Sequence, residues 1–509
     1  MRKILHLVLN RVFITGVIVL LQVGFFVLEL FRWANHYVEI ALVLRILSLL
    51  IVLYLVWRPN NPAVKLAWIV PILVFPLFGG ILYLAFGHVV ISRRLKNSMR
   101  KTEELTRKNM PGNQDILNRI AKENLPIANM CGYLNRYSGT AVWENTNTAY
   151  YEDGLPYWKQ LLKDLEGAER FIFLEYFILG EGSMWGEVLE ILERKAKQGV
   201  EVRLIYDDFG SVLKLPKHYE QFIEQKGIQC VAFNKLVPLM AIILNNRDHR
   251  KIVVIDGKIG YTGGINLADE YINYKTLYGY WKDAGIRLEG EAVWNFTVMF
   301  LQMWNISRDT DEDFSRYRYH FTEKIRGKGY VQPYGDTPFD NETVGENVYL
   351  NMIGYARKYF YAFTPYLITD NEMCTALKLA AKRGVDVRIV TPGIPDKKTA
   401  YWLTQSSYQN LIESGVKIYQ YLPGFIHSKC VLCDDEIAAV GTINFDYRSF
   451  YHHFECGVFL YRAEAVGELK KDMEKTFAES EEITLEWCRK KFMKMNVIGP
   501  FLKLFSPLF

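Results

Sequence analysis

The sequence has little that would mark a secreted, nucleic-acid-binding or disordered protein. Its seven cysteines (131, 230, 374, 430, 433, 456 and 488) are odd in number and scattered. That excludes a disulfide framework and fits a reducing compartment. Cys430 and Cys433 have the spacing of a redox or metal pair, but they stand inside an apolar run with no second pair nearby. A packed strand is the simpler reading. The net charge of +5 over 509 residues is too small to argue for a nucleic-acid partner, and none is expected. No small-residue cleavage site follows the first apolar stretch, where Glu29-Leu30-Phe31-Arg32-Trp33 stands instead, so that stretch is not a signal peptide. No carboxylate cluster of the two-metal type is present either, and neither a metal nor another cofactor is expected. What the chain does have is hydrophobic residues, 50% of the total, with 14% aromatic. Disorder is thereby excluded, and the length calls for two or three domains.

Histidine is scarce too, at nine residues, yet two of the nine head the same pattern. His249-Arg250-Lys251 is followed after four residues by Asp256, and after six more by Gly263-Gly264-Ile265-Asn266. His427-Ser428-Lys429 is followed at the same spacings by Asp434 and by Gly441-Thr442-Ile443-Asn444. The pattern H-x-K-x4-D-x6-G-small-x-N, found twice, is far more specific than either copy alone. The remaining histidines (6, 36, 88, 218, 320, 452 and 453) lack this context and are read as incidental.

Three apolar stretches open the chain, roughly residues 12–28, 40–57 and 66–86. Each approaches the ~20 residues needed to cross a bilayer, so residues 1–90 are expected to form a membrane region of two to three transmembrane helices. The third stretch contains Pro71, Pro76, Gly79 and Gly80 and is a candidate for a kinked or re-entrant segment. Arg93, Arg94, Lys96, Arg100, Lys101, Arg107 and Lys108 follow it. This excess of positive charge places the rest of the chain on the cytoplasmic side. Arg2, Lys3 and Arg11 precede the first stretch, so three full crossings would leave one basic segment on the wrong side. Residues 91–125 read as a basic, helical linker attracted to anionic lipid. Residues 483–509 form a basic, apolar-rich tail of the kind that lies in a membrane interface.

Between these ends the pattern is α/β. An apolar run at 170–179 is followed by helical spacing over 185–198, a stop at Gly199 and a second apolar run at 200–206. The same order recurs at 359–368, 371–382, Gly384 and 385–390. Strand, helix, strand implies a parallel pair joined by a crossover. Residue 427 lies 178 positions after residue 249 and residue 384 lies 185 after residue 199, which indicates an internal duplication of about 180 residues. The expected domains are 126–330 and 331–482, with one motif in each.

The chemistry these residues suit is displacement at a phosphodiester. One neutral imidazole can attack phosphorus while another, protonated, supplies the leaving oxygen with a proton. Lys251 and Lys429 would hold the non-bridging oxygens, and Asn266 and Asn444 would donate to the same oxygens as charge develops. With His-x-Lys on a strand, His and Lys share a face. Each His needs an orienting acid on its other nitrogen, for which Asp283 and Glu455 are the candidates. Asp256 and Asp434, completing the motifs, are better placed to fix a loop than to move protons.

The paired motifs resemble the phospholipase D superfamily. With apolar stretches ahead of them, the chain looks like a bacterial cardiolipin synthase of that type. Tyr206-Asp207-Asp208-x-Gly210-Ser211, Thr364-Pro365-Tyr366 and Ser506-Pro507-Leu508-Phe509 add to the likeness. The resemblance implies two tandem phospholipase D-like domains, each a mixed sheet flanked by helices, forming a pseudo-twofold catalytic unit behind N-terminal transmembrane helices. It implies a bacterial multi-pass membrane enzyme acting on phosphatidylglycerol and seated among anionic lipids. The reaction would be metal-independent, with His249, Lys251, Asp256, His427, Lys429 and Asp434 as the catalytic set. His249 would form a phosphohistidine, and His427 would serve as acid and then base. The products would be cardiolipin and glycerol. A hydrolase releasing phosphatidate, or another phosphatidyltransferase, would use the same residues.

Overall fold

In the computed structural model, the described residues are 38–58, 61–75, 93–235, 246–340 and 342–492, with short pieces at 24, 79–80, 83–84, 503–504 and 506–508. The first apolar stretch, 12–28, lies almost wholly outside them.

The chain divides into two compact units. The first holds residues 1–91, 236–245 and 500–509. Within it run a helix at Val38–Trp57 and another at Pro62–Val74. Asn61 caps the second, its side chain accepting from the N–H of Ala63 at 2.9 Å, and Pro62 occupies the first helical position, where its missing donor costs nothing. Leu42, Ile46, Leu50, Leu53 and Val56 of the first helix are exposed. Among the described residues, no helix is long and apolar enough to cross a membrane. Side chains of the Val38–Trp57 helix are described without a break only from residue 42 onward. The expected transmembrane helices are therefore not supplied by the structure itself.

The second unit, residues 92–235 and 246–499, carries both motifs. Its first half forms a seven-stranded sheet from β1 (Thr146–Tyr151), β2 (Phe171–Tyr176), β3 (Glu201–Asp207), β4 (Gln229–Phe233), β5 (Lys251–Ile255), β6 (Ile259–Gly263) and β7 (Gly285–Gly290). The strand order is β1-β7-β6-β5-β2-β3-β4. Strands β2, β3 and β4 are parallel; the rest run antiparallel. The second half comprises β8 (Tyr330–Asp336), β9 (Tyr359–Phe363), β10 (Asp386–Pro392), β11 (Lys417–Tyr421), β12 (Cys430–Cys433), β13 (Ile437–Gly441), β14 (His453–Tyr461) and β15 (Ser480–Glu482). Its order, β8-β14-β13-β12-β9-β10-β11, repeats the first sheet strand for strand, with β15 added at the edge. The expected run at 359–368 is broken: β9 ends at Phe363, and a separate short strand, Leu367–Ile368, follows Thr364-Pro365, because proline has no N–H for the ladder.

Alternation along the strands divides the core. Phe171 and Phe173 of β2, Ile252 and Val254 of β5, and Cys430 and Leu432 of β12 join one apolar cluster common to both halves. The helix Val293–Arg308, buried from Val293 to Leu301, runs through this cluster, which is why apolar residues are not confined to one stripe of it. Ile172, Leu174, Val253 and Ile255 face a second cluster with the helices Gly154–Glu166 and Ser183–Lys197. Val431 and Cys433 face a third, with the helices Val344–Tyr355 and Asn371–Lys382. Strands covered on both faces read as unbroken apolar runs. Cys430 and Cys433 point to opposite faces of β12, and both are free thiols.

Candidate active site

The two halves meet through two short parallel pairings. Arg247–Asp248 pairs with His453–Phe454, and Gly424–Ile426 pairs with Tyr280–Lys282. In each, the segment that delivers a motif histidine lies beside the segment that delivers an acid of the other half. The His249 N–H donates to the Phe454 carbonyl at 2.9 Å, and the His427 N–H to the Lys282 carbonyl at 2.7 Å. One residue further on, His249 Nδ1 stands 2.9 Å from both carboxylate oxygens of Glu455, and His427 Nδ1 stands 2.6 Å from Asp283 Oδ2. Each expected acid thus stands against the Nδ1 of a histidine from the other half. A carboxylate only accepts, so Nδ1 carries the proton in each dyad and Nε2 keeps its lone pair.

This crossing also corrects the expectation that His-x-Lys lies on one strand. Residues 249–250 and 427–429 are irregular; β5 begins at Lys251 and β12 at Cys430. The chain leaves its pairing with the other half at the histidine and only then enters its own sheet. The lysine still returns to the histidine, since Lys251 Nζ donates to the His249 carbonyl and Lys429 Nζ to the His427 carbonyl. Each ammonium keeps two further donors.

Glycine and threonine at equivalent places support the acids differently. A Cβ on Gly264 would stand 2.0 Å from Asp283 Oδ1 and 3.0 Å from the His427 carbonyl, so no side chain fits there. At the matching position, the Thr442 hydroxyl donates to Glu455. The Asp283 Oδ1 instead accepts the Ala284 N–H at 2.8 Å.

Burial dominates the electrostatics. It pushes Lys251 down to about 8 and Lys429 down to about 7, the latter helped by repulsion from Lys251. Burial also lowers His427 to about 4, with Lys429 adding to the effect against the pull of Asp283. His249 is held well below its usual value by burial and then by Lys251 and Lys429. Burial alone would raise Asp283, but His427 and Lys429 hold its carboxyl below the usual range. Burial thus favours the neutral form of both imidazoles and makes both lysines lose their protons more easily than usual.

Not every motif residue reaches this cluster. Asp256 sits past the far end of β5 with φ 54° and accepts the N–H groups of Glu169, Arg170 and Phe171 at 2.7–2.9 Å. Asp434, at φ 53°, does the same for Arg357, Lys358 and Tyr359. Both lash the start of a neighbouring strand, and the structure does not bring them to the histidines. Asn266 is engaged on both ends of its amide: Oδ1 accepts the Ile178 N–H at 2.9 Å and Nδ2 donates to the Tyr271 hydroxyl at 2.7 Å. Among the described residues, the second N–H of Asn266 has no acceptor. Among the described residues, the buried Asn444 Oδ1 has no hydrogen-bond partner.

Several neighbours of the histidines lie outside both motifs. Phe177 stands edge-on to His249 at 5.0 Å, with Lys251 Nζ 5.4 Å from its ring. Trp281 lies 5.3 Å from His427, and His453 lies 5.5 Å from His249, ring to ring. His453 and Trp281 each precede an orienting acid by two residues, so strand alternation was the available signal.

Comparison with known proteins identifies the family. The cardiolipin synthase, PLD-like domain family matches residues 161–304 and 349–477, and the phospholipase D-nuclease N-terminal family matches residues 43–88. A cardiolipin synthase of Halalkalibacterium halodurans is 32% identical, covering 98% of this chain and 99% of its own. Cardiolipin synthase 1 of Staphylococcus aureus is 34% identical over 92% of this chain and 96% of its own. An uncharacterized protein of Streptococcus mutans is 43% identical over 90% of this chain and 99% of its own. The crystal structure of the phosphatidylserine synthase of Haemophilus influenzae superposes with a TM-score of 0.57 at 14% identity, covering 75% of this chain and all of that one, which shows a shared fold.

Proposed function

The chain belongs to the phospholipase D-like cardiolipin synthase family, and from that premise we propose that it moves a phosphatidyl group from one phosphatidylglycerol to another, giving cardiolipin and glycerol. The observation that carries the reading is the pair of crossed dyads, His249–Glu455 and His427–Asp283, with a lysine beside each.

His249 Nε2 attacks phosphorus, helped by Glu455, which steadies the positive imidazole as its nitrogen bonds. His427 Nε2 gives its proton to the departing glycerol oxygen, and the phosphatidyl group remains on His249. The hydroxyl of a second phosphatidylglycerol then returns a proton to His427 and attacks the phosphohistidine, which frees His249. Lys251 and Lys429 hold the non-bridging oxygens, and Asn444 and the remaining N–H of Asn266 add donors. Asp256 and Asp434 support the two strands from behind. Because the resting His427 is neutral, the substrate's negative charge raises its proton affinity, and a proton is taken up as the phosphodiester binds. No step needs a metal.

Residues 1–90 serve as the membrane region, followed by a basic segment at 91–125, catalytic halves at 126–330 and 331–482, and an interfacial tail at 483–509. The match of residues 43–88 to the N-terminal family and the exposed apolar side chains of the Val38–Trp57 helix support a multi-pass anchor in a bacterial membrane. The basic run after residue 92 supports a cytoplasmic catalytic unit. Incubating the full-length protein with phosphatidylglycerol and following cardiolipin, glycerol and phosphatidate tests the assignment. Cardiolipin with equimolar glycerol is expected; phosphatidate as the main product would make the protein a hydrolase.

A further inference from the structure

His453 has no counterpart across the pseudo-twofold. The matching position of the other half, two residues before its orienting acid, is Trp281. His453 is only 9% exposed, and among the described residues neither of its ring nitrogens has a hydrogen-bond partner. Leaving buried polar atoms unpaired is costly, which calls for an explanation. Its Nδ1 stands 3.6 Å from Glu455 Oε1. One ligand atom each from His249, His453 and Glu455 can be chosen so that all three lie within 4.8 Å of one another.

We propose that His249, His453 and Glu455 form an inhibitory transition-metal site, a His-His-Glu set of the kind Zn²⁺ takes with one position left to solvent. The inhibition follows from the tautomer and rests on the reading of His249 as nucleophile. In the working dyad Nδ1 holds the proton and Nε2 has the lone pair. A metal bound through Nδ1 sends that proton to Nε2, no proton leaves the ring, and the nucleophile is gone. Glu455 is simultaneously withdrawn from its orienting role. Lys251 and Lys429 repel any cation, so ions held mainly by charge, such as Mg²⁺ and Ca²⁺, are excluded. A metal with a strong preference for imidazole is selected. The other dyad has an indole in place of the third ligand and takes none.

The test uses tag-free, full-length protein in detergent, stripped with EDTA and desalted. Co²⁺ is titrated in and visible absorption of tetrahedral Co²⁺ is read; Zn²⁺ is then titrated in competition. The expected result is one equivalent of metal per chain and loss of cardiolipin formation with the same midpoint, reversed by EDTA. His453→Asn, and His453→Gln as a second variant, should form cardiolipin as the parent does but bind metal more weakly. The loss should exceed the roughly 10–100-fold that removing an outer-shell partner costs. His320→Ala, which removes an exposed histidine, should change nothing. No cobalt band at one equivalent, or a band unchanged in both His453 variants, overturns the site whatever the activity shows. A band lost in those variants from a protein that makes no cardiolipin would keep the site and discard the reading of function.

Discussion

Asp283→Asn and Glu455→Gln are the same chemical change in the two dyads, yet the structure predicts unequal costs. In Asp283→Asn the side-chain oxygen is fixed by the Ala284 N–H, which Asp283 Oδ1 accepts at 2.8 Å. A backbone donor cannot turn around. The amide NH₂ therefore faces His427 Nδ1, which stood 2.6 Å from the carboxylate. His427 must then carry its proton on Nε2, where it can no longer accept one from the incoming hydroxyl. An Asp→Asn exchange that imposes the wrong tautomer costs about 10⁴-fold in a serine protease triad, or about 5.5 kcal/mol of barrier. In Glu455→Gln the matching contact is a hydroxyl. Thr442 Oγ1 also lies 3.1 Å from the Cys456 carbonyl, so its hydrogen can swing there and leave the oxygen to accept from the new amide. The Gln oxygen then faces His249 and the tautomer survives. Only the difference between a charge-assisted and a neutral hydrogen bond is lost, about 1–2 kcal/mol or roughly 5–30-fold. Initial rates of cardiolipin formation in mixed micelles, with thermal melts to confirm folding, measure both. Equal losses in the two variants, or a larger loss in Glu455→Gln, would refute the argument.

Labelling with radioactive phosphatidylglycerol and acid quenching should trap the phosphatidyl group on the peptide containing His249. His249→Ala should carry no label, and His427→Ala should turn over at least roughly 10²–10⁴-fold more slowly; label on the His427 peptide would reverse the roles. Because burial holds Lys429 at about 7 and Lys251 at about 8 in the free protein, the phosphate-binding charge is present below those values and lost above them. kcat/KM should therefore fall between about pH 7 and 9, well below the usual lysine range, and a flat profile to pH 10 would contradict it. Asp434→Ala removes the acceptor for three N–H groups at 2.7–2.9 Å. It should destabilise the fold by roughly 2–4 kcal/mol, seen as a lower melting temperature, while the folded fraction keeps turnover within about tenfold. Added EDTA should leave cardiolipin formation undiminished, and a loss of activity would remove the metal-free mechanism.

Much of the fold was open to pattern reading because both sheets are covered on two faces. Runs such as Phe171–Tyr176 and Cys430–Cys433 are apolar at every position or nearly so, and their repetition announced the duplication. The helix Asn371–Lys382 has the limits that its apolar spacing and the Gly384 stop indicate. The break after Phe363 was harder to see, since aromatic residues flank Thr364-Pro365 on both sides. His453 was set aside as incidental because nothing local distinguishes it from His452. Its place beside His249 follows from a parallel pairing with residue 247, more than 200 positions away.

By itself the sequence singled out the candidate reacting groups. Two histidines and two lysines at fixed spacing, on two copies of one α/β pattern, point to attack on a phosphodiester, and the acids Asp283 and Glu455 were the candidates to orient them. Only the tertiary structure decided which acid serves which histidine. It also removed Asp256 and Asp434 to the backs of their strands and set a third imidazole beside one dyad alone. The physical reason is that spacing along a chain fixes neighbours on one strand or helix. The dyads, by contrast, are made where the segments before His249 and His427 leave their own sheets and pair with the opposite half.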